Sequence, residues 1–291
     1  MPMPEIAGET IAEIYREGVG ILRGAGVESP SFDAVCLLEK AFGLTRQGLL
    51  LYGEQLAKAP QAAEFRRMVQ ERAGARPLQY ILGEWPFWDL TLRVGEGVLI
   101  PREDTETLVR TAADMLCGFS GPQVLDLCAG SGAVGLALAR ELPGAQVCCV
   151  ERYEEAAVFL QENLRRYPQF AVRYVQGDVL DPMFAAQFSS MDAIVSNPPY
   201  IPAGELPVLQ EEVRREPASA LDGGADGLQF YRALAAYWIP RLRPGGVAAV
   251  EIGEGQAHAV ADLFAKAGLE PIRFANDLGG ICRVVAGVRT G

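Results

Sequence analysis

From residue 124 to the end of the chain, short apolar runs alternate with longer segments of helical periodicity. Strands that alternate with helices form a mostly parallel sheet, because each helix returns the chain across the sheet in a right-handed crossover. The last two strands lack a clear helix between them, which predicts an antiparallel edge strand. We therefore predict an α/β fold with seven strands, at residues 124–127, 147–150, 172–175, 192–196, 247–252, 271–274 and 282–288. Helices are predicted at residues 133–142, 154–167, 227–242 and 257–267.

The preceding part of the chain is predicted to form a separate domain. Residues 1–82 have helical spacing and predict a small bundle that contacts a substrate protein, with Ser31 capping a helix that starts at residue 32. Residues 83–106 form a linker, in which 90–94 and 98–100 are expected to pair as a β-hairpin. The helix that follows is expected to use Asp104 or Thr105 as its cap, and residues 107–291 form the sheet domain.

Composition limits the class of protein. The chain has 291 residues, 49% of them hydrophobic, and a formal net charge of −11. This acidity disfavours a nucleic-acid partner, whose binding depends on neutralising phosphates. No apolar run reaches the roughly 18 residues that span a membrane, and no charged leader precedes an apolar stretch. We expect a cytoplasmic monomer without a membrane partner.

Cysteine and histidine usage disfavours metal and thiol chemistry. None of the six cysteines forms a C-x-x-C pair, so neither a disulfide nor a metal site is predicted. His258 is the single histidine, and any histidine-dependent catalysis would have to use it. Its position in an early helical turn favours a structural role.

The predicted strand 192–196 ends in the four residues Asn197-Pro198-Pro199-Tyr200. Neither proline can donate to a sheet, and each fixes its own φ, so the strand stops at a stiff corner. Such a corner suits a planar NH2 group, which can donate one hydrogen to the Asn197 side-chain oxygen and one to the Pro198 carbonyl. The Tyr200 ring can cover the adjacent flat face.

A glycine-rich turn follows the first strand of the predicted sheet. Gly130, Gly132 and Gly135 match the dinucleotide fingerprint, in which glycines allow close backbone approach to a ligand and a helix N-terminus offers free N–H groups. Glu151 lies 19 residues after Gly132, where a carboxylate can accept both ribose hydroxyls. The pattern alone leaves an NAD-binding module open.

Two further acids favour a different ligand. Asp126 lies where the first strand meets the glycine turn, and a carboxylate there suits an ammonium group better than a pyrophosphate. Asp178 follows the third strand and can accept from an adenine amino group. Ammonium, carboxylate, ribose and adenine are together the parts of S-adenosyl-L-methionine. Ligands of open α/β sheets bind at the carboxyl ends of the strands, so this cofactor and the Asn197 corner would meet there.

Seven segments of this chain resemble one enzyme family, the glutamine N5-methyltransferases that modify peptide chain release factors. The four-residue corner alone is shared with enzymes that methylate adenine amino groups, whereas the arginine-containing stretch before Thr105 and the pair Glu216-Pro217 are more specific. The segments are residues 77–83, 99–106, 126–132, 197–200, 216–217, 220–227 and 251–253.

The resemblance implies a Rossmann-like methyltransferase sheet and methyl transfer from S-adenosyl-L-methionine to the N5 amide nitrogen of the glutamine in a release-factor Gly-Gly-Gln motif. S-adenosyl-L-homocysteine would be the product. The expected catalytic residues are Asn197, Pro198 and Tyr200. The expected cofactor contacts are Asp126, Cys128, Ala129, Gly130, Ser131, Gly132, Glu151, Asp178, Val179 and Asn197. The expected substrate contacts are Asn197, Pro198, Pro199, Tyr200, Phe87, Arg102 and Glu216.

The chain departs from the family pattern at four of these positions. Cys128-Ala129 stands in place of the usual Gly-Thr or Gly-Ser pair, Glu151 where aspartate is commoner, and Val179 where an aromatic residue is frequent. Two further interpretations remain open at this point. One is glutamine methylation of a ribosomal protein, and the other is adenine N6-methylation of DNA or RNA, which would normally need a basic groove. Phe87 and its aromatic neighbours equally fit ordinary packing or a pocket wall.

Overall fold

The computed structural model describes residues 8–291, so the first seven residues of the predicted N-terminal domain lie outside the described range. The described chain forms two compact units. The helical unit comprises the residues up to Gly83 together with Glu211–Arg215, and the sheet unit comprises Glu84–Gln210 and Glu216–Gly291. A short insert from the second half of the chain therefore belongs to the helical unit, which the sequence did not indicate.

The helical unit contains five helices in its described residues. The first begins with a capping box, because the Thr10 side chain accepts from the Glu13 N–H while the Glu13 carboxylate accepts from the Thr10 N–H. The second helix begins at Pro30 with Ser29 as its cap residue, so the predicted Ser31 cap is wrong; proline suits the first helical turn because no N–H is needed there. The helices are α1 (Ile11–Gly24), α2 (Pro30–Phe42), α3 (Arg46–Tyr52), α4 (Ala59–Ala73) and α5 (Leu78–Leu82).

The sheet unit begins with a hairpin that differs from the predicted one. Strands β1 (Glu84–Phe87) and β2 (Leu90–Arg93) pair antiparallel, and residues 98–100 form no strand. The N–H of Ile100 donates to the side chain of Glu216 at 2.9 Å and is therefore not available to a sheet partner. The predicted hairpin between 90–94 and 98–100 is wrong for this reason.

The central sheet has seven strands in the described chain, as predicted, in the order β5-β4-β3-β6-β7-β9-β8. The first five strands in this order are parallel, and β9 is antiparallel to both β7 and β8. The α/β fold and the antiparallel β8–β9 pair are confirmed, with β9 one position in from the edge. The strands are β3 (Gln123–Leu127), β4 (Gln146–Glu151), β5 (Val172–Gln176), β6 (Met191–Ser196), β7 (Leu242–Glu251), β8 (Arg273–Asn276) and β9 (Cys282–Val288).

The helices of the sheet unit largely follow the predicted segments, with one exception. Predicted helix 227–242 is broken into a short α-helix, a π-helical turn at Leu234–Trp238 and a 3-10 turn at Ile239–Arg241. Trp238 is fully buried and its indole N–H donates to the Val179 carbonyl at 2.9 Å. A hydrogen bond between such distant residues cannot be predicted from the helical periodicity of the sequence. The helices are α6 (Glu106–Leu116), α7 (Ala133–Glu141), α8 (Glu154–Arg166), α9 (Pro182–Ala185), α10 (Gln229–Ala233) and α11 (Ala257–Lys266).

Both faces of the sheet are covered by apolar packing. Val124 and Leu125 are consecutive residues of β3 that are both fully buried and belong to separate hydrophobic clusters, as their opposite orientations in a strand require. A sheet covered on both sides leaves the carboxyl ends of its parallel strands as the accessible edge for a ligand. Among the described residues, no helix combines the length and apolar composition needed to cross a bilayer.

Candidate active site

The carboxyl ends of four neighbouring strands, β5, β4, β3 and β6, define a cleft of about 930 Å³, part of which is open solvent. Leu127 at the end of β3 is in register with Val150 of β4 and Ser196 of β6, so the next residue of each strand reaches the same edge. The predicted site residues that line this cleft are Asp126, Cys128, Ala129, Gly130, Ser131, Glu151, Asp178, Val179, Asn197 and Pro199. The lining also includes residues that the sequence did not single out for the site, notably Leu99, Pro101, Thr105, Pro217, Ser219 and Ala220.

The Cys128–Gly132 turn has the backbone conformation expected from its glycines. Gly132 has a φ of 82°, and a Cβ added there would lie 2.4 Å from Cδ1 of Leu160, so both conformation and space require glycine. Cys128 also has a positive φ, of 60°, although it carries a side chain. The turn is closed by a hydrogen bond from the Gly132 N–H to the Ala129 carbonyl at 2.8 Å.

Asp126 is fully buried beneath this turn. Its Oδ2 accepts from the Gly135 N–H at 2.8 Å, whereas its Oδ1 has no hydrogen-bond partner within the structure. Burial raises the pKa of this carboxyl to about 7, despite the opposing bond from Gly135. A cationic ligand group that reached Oδ1 would satisfy it and favour the ionised form, which fits the ammonium of an amino acid.

Glu151 presents a carboxylate that the backbone holds in place. Its Oε2 accepts from the Gly130 N–H at 2.9 Å, and its Oε1 accepts from the Arg152 and Tyr153 N–H groups at 2.8 and 2.9 Å. Burial raises its pKa, and these three bonds act in the opposite direction. A carboxylate oxygen can accept more than one hydrogen bond, so acceptor capacity remains for ligand hydroxyls.

Asp178 is less available than the sequence suggested. Its Oδ1 accepts from the Leu180 N–H at 2.9 Å, and its Oδ2 forms an ion pair with Arg152 at 2.8 Å. A ligand amino group would therefore share or displace the arginine. Val179 beside it is 4% exposed.

The corner residue Asn197 has one side of its amide already engaged. Its Nδ2 donates to Oγ1 of Thr105 at 3.1 Å, and both residues line the cleft. Thr105 is only 3% exposed and is the cap residue of α6, one of the two predicted, but its side chain makes no hydrogen bond to the helix. This arrangement leaves the side-chain oxygen of Asn197 for another donor.

Tyr200 turns toward a buried acid. Its hydroxyl donates to Oε1 of Glu251 at 3.4 Å, and burial, followed by the nearby Glu251, raises the pKa of the phenol. Tyr200 and Pro198 are not among the described residues that line the cleft, in contrast to Asn197 and Pro199. The predicted contact of the Tyr200 ring with the substrate amide stays a prediction.

The corner is held from several directions. The Ser196 hydroxyl donates to the Leu127 carbonyl at 2.6 Å, and the Gln256 side chain donates to the Tyr200 carbonyl at 2.9 Å. A Cβ on Gly223 would lie 2.7 Å from Cα of Tyr200, and one on Gly227 would lie 2.3 Å from the Tyr200 carbonyl oxygen. Backbone therefore packs directly on backbone at this point.

Comparison with known proteins identifies the family. Residues 13–83 match the model of the PrmC N-terminal domain, and residues 104–224 match that of the methyltransferase small domain. A release factor glutamine methyltransferase of Geobacter sulfurreducens is 41% identical over 279 residues, covering 96% of each chain. The chain belongs to the release factor glutamine methyltransferase family. A relative of the same description from Moorella thermoacetica is 41% identical over 87% of this chain and 89% of its own.

A solved methyltransferase structure supports the fold of this family member. The T. thermophilus 16S rRNA N2 methyltransferase, in complex with AdoMet and guanosine, has a TM-score of 0.52 at 22% identity, covering 71% of this chain and 49% of its own. At this identity the similarity concerns the fold alone. The relatives do not favour the ribosomal-protein and adenine alternatives that the sequence had left open.

Besides Pro198 and Tyr200, the predicted substrate residues Phe87, Arg102 and Glu216 lie outside the described cleft lining. Glu216 is buried, with one oxygen on the Ile100 N–H at 2.9 Å and the other paired with the Arg102 guanidinium. Phe87 is 3% exposed and packs in the core with Leu90, which favours the packing alternative over the pocket wall. Glu216 and Arg102 thus form an ion pair with each other. This pair connects the segment around Pro101 with the segment around Pro217, and both segments line the cleft.

Proposed function

We propose that this protein transfers a methyl group from S-adenosyl-L-methionine to the side-chain amide nitrogen of the glutamine in the Gly-Gly-Gln motif of peptide chain release factors. Family membership supports the reaction class. The observation that carries the proposal is the position of Asn197, whose amide oxygen is left for a donor in the same cleft as the Cys128–Gly132 turn and Glu151. S-adenosyl-L-homocysteine is the product.

The cofactor side of the cleft offers groups for each part of the ligand. The unpartnered Oδ1 of Asp126 accepts from the ammonium, and Glu151 accepts from the ribose hydroxyls. The turn gives the ligand close access to the backbone, and Asp178 with Val179 forms the adenine side. When bound, S-adenosyl-L-methionine supplies an electrophilic methyl group on a sulfonium sulfur.

On the substrate side of the cleft, the enzyme orients the glutamine amide and does not deprotonate it with a strong base. An amide nitrogen is a weak nucleophile because its lone pair is shared with the carbonyl. Asn197 Oδ1 and the Pro198 carbonyl accept the two hydrogens of the glutamine NH2 and fix its plane, which supplies orientation. The same two acceptors favour the positive charge that grows on the nitrogen, and its proton is released afterwards.

The remaining parts of the chain have a supporting role in this proposal. The helical unit contacts the release factor, and the sheet unit, Glu84–Gln210 with Glu216–Gly291, carries the transfer reaction; the predicted linker 83–106 supplies part of the cleft wall. The acidic net charge of −11 supports a protein partner over a nucleic acid. The enzyme acts as a monomer in the cytoplasm.

A single labelling experiment tests the proposal. Purified enzyme is incubated with S-adenosyl-L-methionine carrying a radiolabelled methyl group and, in parallel, with release factor, ribosomal proteins, DNA and RNA. We expect label in the release factor alone, lost when the Gly-Gly-Gln glutamine is replaced by alanine and located on that residue by peptide mass spectrometry. Label in ribosomal protein or nucleic acid instead would refute the proposed substrate.

A further inference from the structure

Thr105 has an unusual position for a residue at the start of a helix. It lies between a 3-10 turn at Glu103–Thr105 and helix α6, and its side chain makes no cap hydrogen bond. The hydroxyl instead lies at the cleft, where it accepts from Asn197 Nδ2 at 3.1 Å. With Thr105 3% exposed, little water competes for this contact.

A second group lies on the other side of the same hydroxyl. Glu251, at the carboxyl end of β7, is 2% exposed; burial raises the pKa of its carboxyl, and the nearby Thr105 hydroxyl acts in the opposite direction. Its Oε1 accepts from the Tyr200 hydroxyl, whereas its Oε2 is buried and has no hydrogen-bond partner in the described chain. Oε2 is therefore an acceptor available to the hydrogen of the Thr105 hydroxyl.

The single hydrogen of a hydroxyl makes this arrangement directional. If the Thr105 hydrogen points to the Glu251 carboxyl, the Thr105 oxygen can only accept from Asn197. The NH2 of Asn197 must then face Thr105, and its Oδ1 must face away. An asparagine turned by 180° would present its own NH2 to the incoming glutamine NH2, and two donors repel each other.

We infer that Thr105 is a positioning residue, which selects the orientation of the Asn197 amide that can accept the substrate nitrogen's hydrogens. The inference rests on the proposed function and deepens it, because it explains why one of the two amide orientations is present at the site. Thr105 itself is not required to contact the glutamine.

Two substitutions at one position test the inference. Thr105→Val keeps the shape of the side chain but removes the hydroxyl, whereas Thr105→Ser keeps the hydroxyl. Thr107→Val is the matched control, since Thr107 is also buried on α6 but is not part of the described cleft lining. For each variant, kcat and KM for the release factor, the Kd for S-adenosyl-L-methionine and the unfolding midpoint are measured.

We expect Thr105→Val to lower kcat/KM for the release factor by roughly 10- to 100-fold, as misplacement of a reacting group does. The Kd for S-adenosyl-L-methionine should stay at the wild-type value, and Thr105→Ser should restore most of the turnover. The inference is overturned if Thr105→Val turns over like the wild type, if serine is as poor as valine, or if cofactor affinity falls in parallel. A wild-type enzyme that leaves the release-factor glutamine unmethylated would refute the proposed function itself.

Discussion

The backbone N–H of Ile100 donates to Oε2 of Glu216 at 2.9 Å, across 116 positions of the chain. Leu99 and Pro101, on either side of Ile100, line the cleft, and so does Pro217, which follows Glu216. This buried hydrogen bond therefore connects two separate segments of the cleft wall.

Replacing Glu216 by alanine should destabilise the protein. The change leaves the Ile100 N–H and the Arg102 guanidinium without their acceptor, and an unsatisfied buried donor costs about 1–3 kcal/mol. Urea unfolding measures the loss in free energy. Glu205→Ala, at an exposed position in the same loop, should cost much less. Equal effects of the two substitutions would show that the bond contributes nothing to stability.

Replacing Asn197 by alanine should abolish methyl transfer while leaving cofactor binding mostly intact. The substitution removes the proposed acceptor for the glutamine NH2 but none of the bonds that hold Asp126 or Glu151. Turnover is measured with radiolabelled cofactor, and binding by calorimetry with S-adenosyl-L-methionine alone. Near-normal methylation by this variant would contradict the role given to Asn197.

Replacing Gly132 by alanine should weaken both the fold and cofactor affinity. The added Cβ would meet Leu160 at 2.4 Å, and the residue would keep an unfavourable φ of 82°. We expect a loss of about 1–3 kcal/mol in the free energy of unfolding. Gly20→Ala is the control, because Gly20 lies in helix α1 with no atom within 4 Å of its added Cβ, and alanine there should stabilise by about 0.5–1 kcal/mol. A Gly132→Ala protein with the unfolding free energy and S-adenosyl-L-methionine affinity of the wild type would contradict the close packing of Gly132 against Leu160.

Replacing Glu251 by glutamine should flatten the dependence of stability on pH. Burial raises the Glu251 pKa from 4.5 to about 7, so between these values the folded protein holds a proton that the unfolded chain has lost. The free energy of unfolding therefore falls as pH rises through this window, by on the order of 3 kcal/mol for such a shift. Unfolding at about pH 5 and about pH 8 measures the slope.

Two comparisons make the pH experiment specific. Asp126, whose pKa burial also raises to about 7, contributes a slope of the same sign, so Glu251→Gln should reduce the slope without removing it. Glu254→Gln, at an exposed position, should keep the wild-type slope. If Glu251→Gln also keeps it, the carboxyl does not titrate as the structure indicates.

The sequence located the parts of the cleft that depend on strand ends. Asp126, Glu151 and Asn197 each end or directly follow a short apolar run, and parallel strands bring their carboxyl ends to one edge. Local pattern was sufficient here because the spacing along each strand fixes where its last residue lies.

The sequence could not supply contacts made between distant segments. A threonine before a helix is ordinarily a cap, and the partner that its hydroxyl actually takes, Asn197, lies 92 positions away. The predicted strand at 98–100 has strand-like composition, but its Ile100 N–H is bound by Glu216. Asp178 is likewise paired with Arg152, a contact that no local pattern encodes.

The two glycines that pack on Tyr200 have a consequence for recognition. With Gly223 and Gly227 pressed against the backbone of that residue, the corner has almost no alternative conformations to give up when a partner arrives. If the corner binds the glutamine as proposed, little conformational entropy of the corner is lost on binding, because its backbone is already ordered by folding. Relatives that evolve toward another acceptor would then have to change the surrounding walls, since the corner itself has no room to adapt.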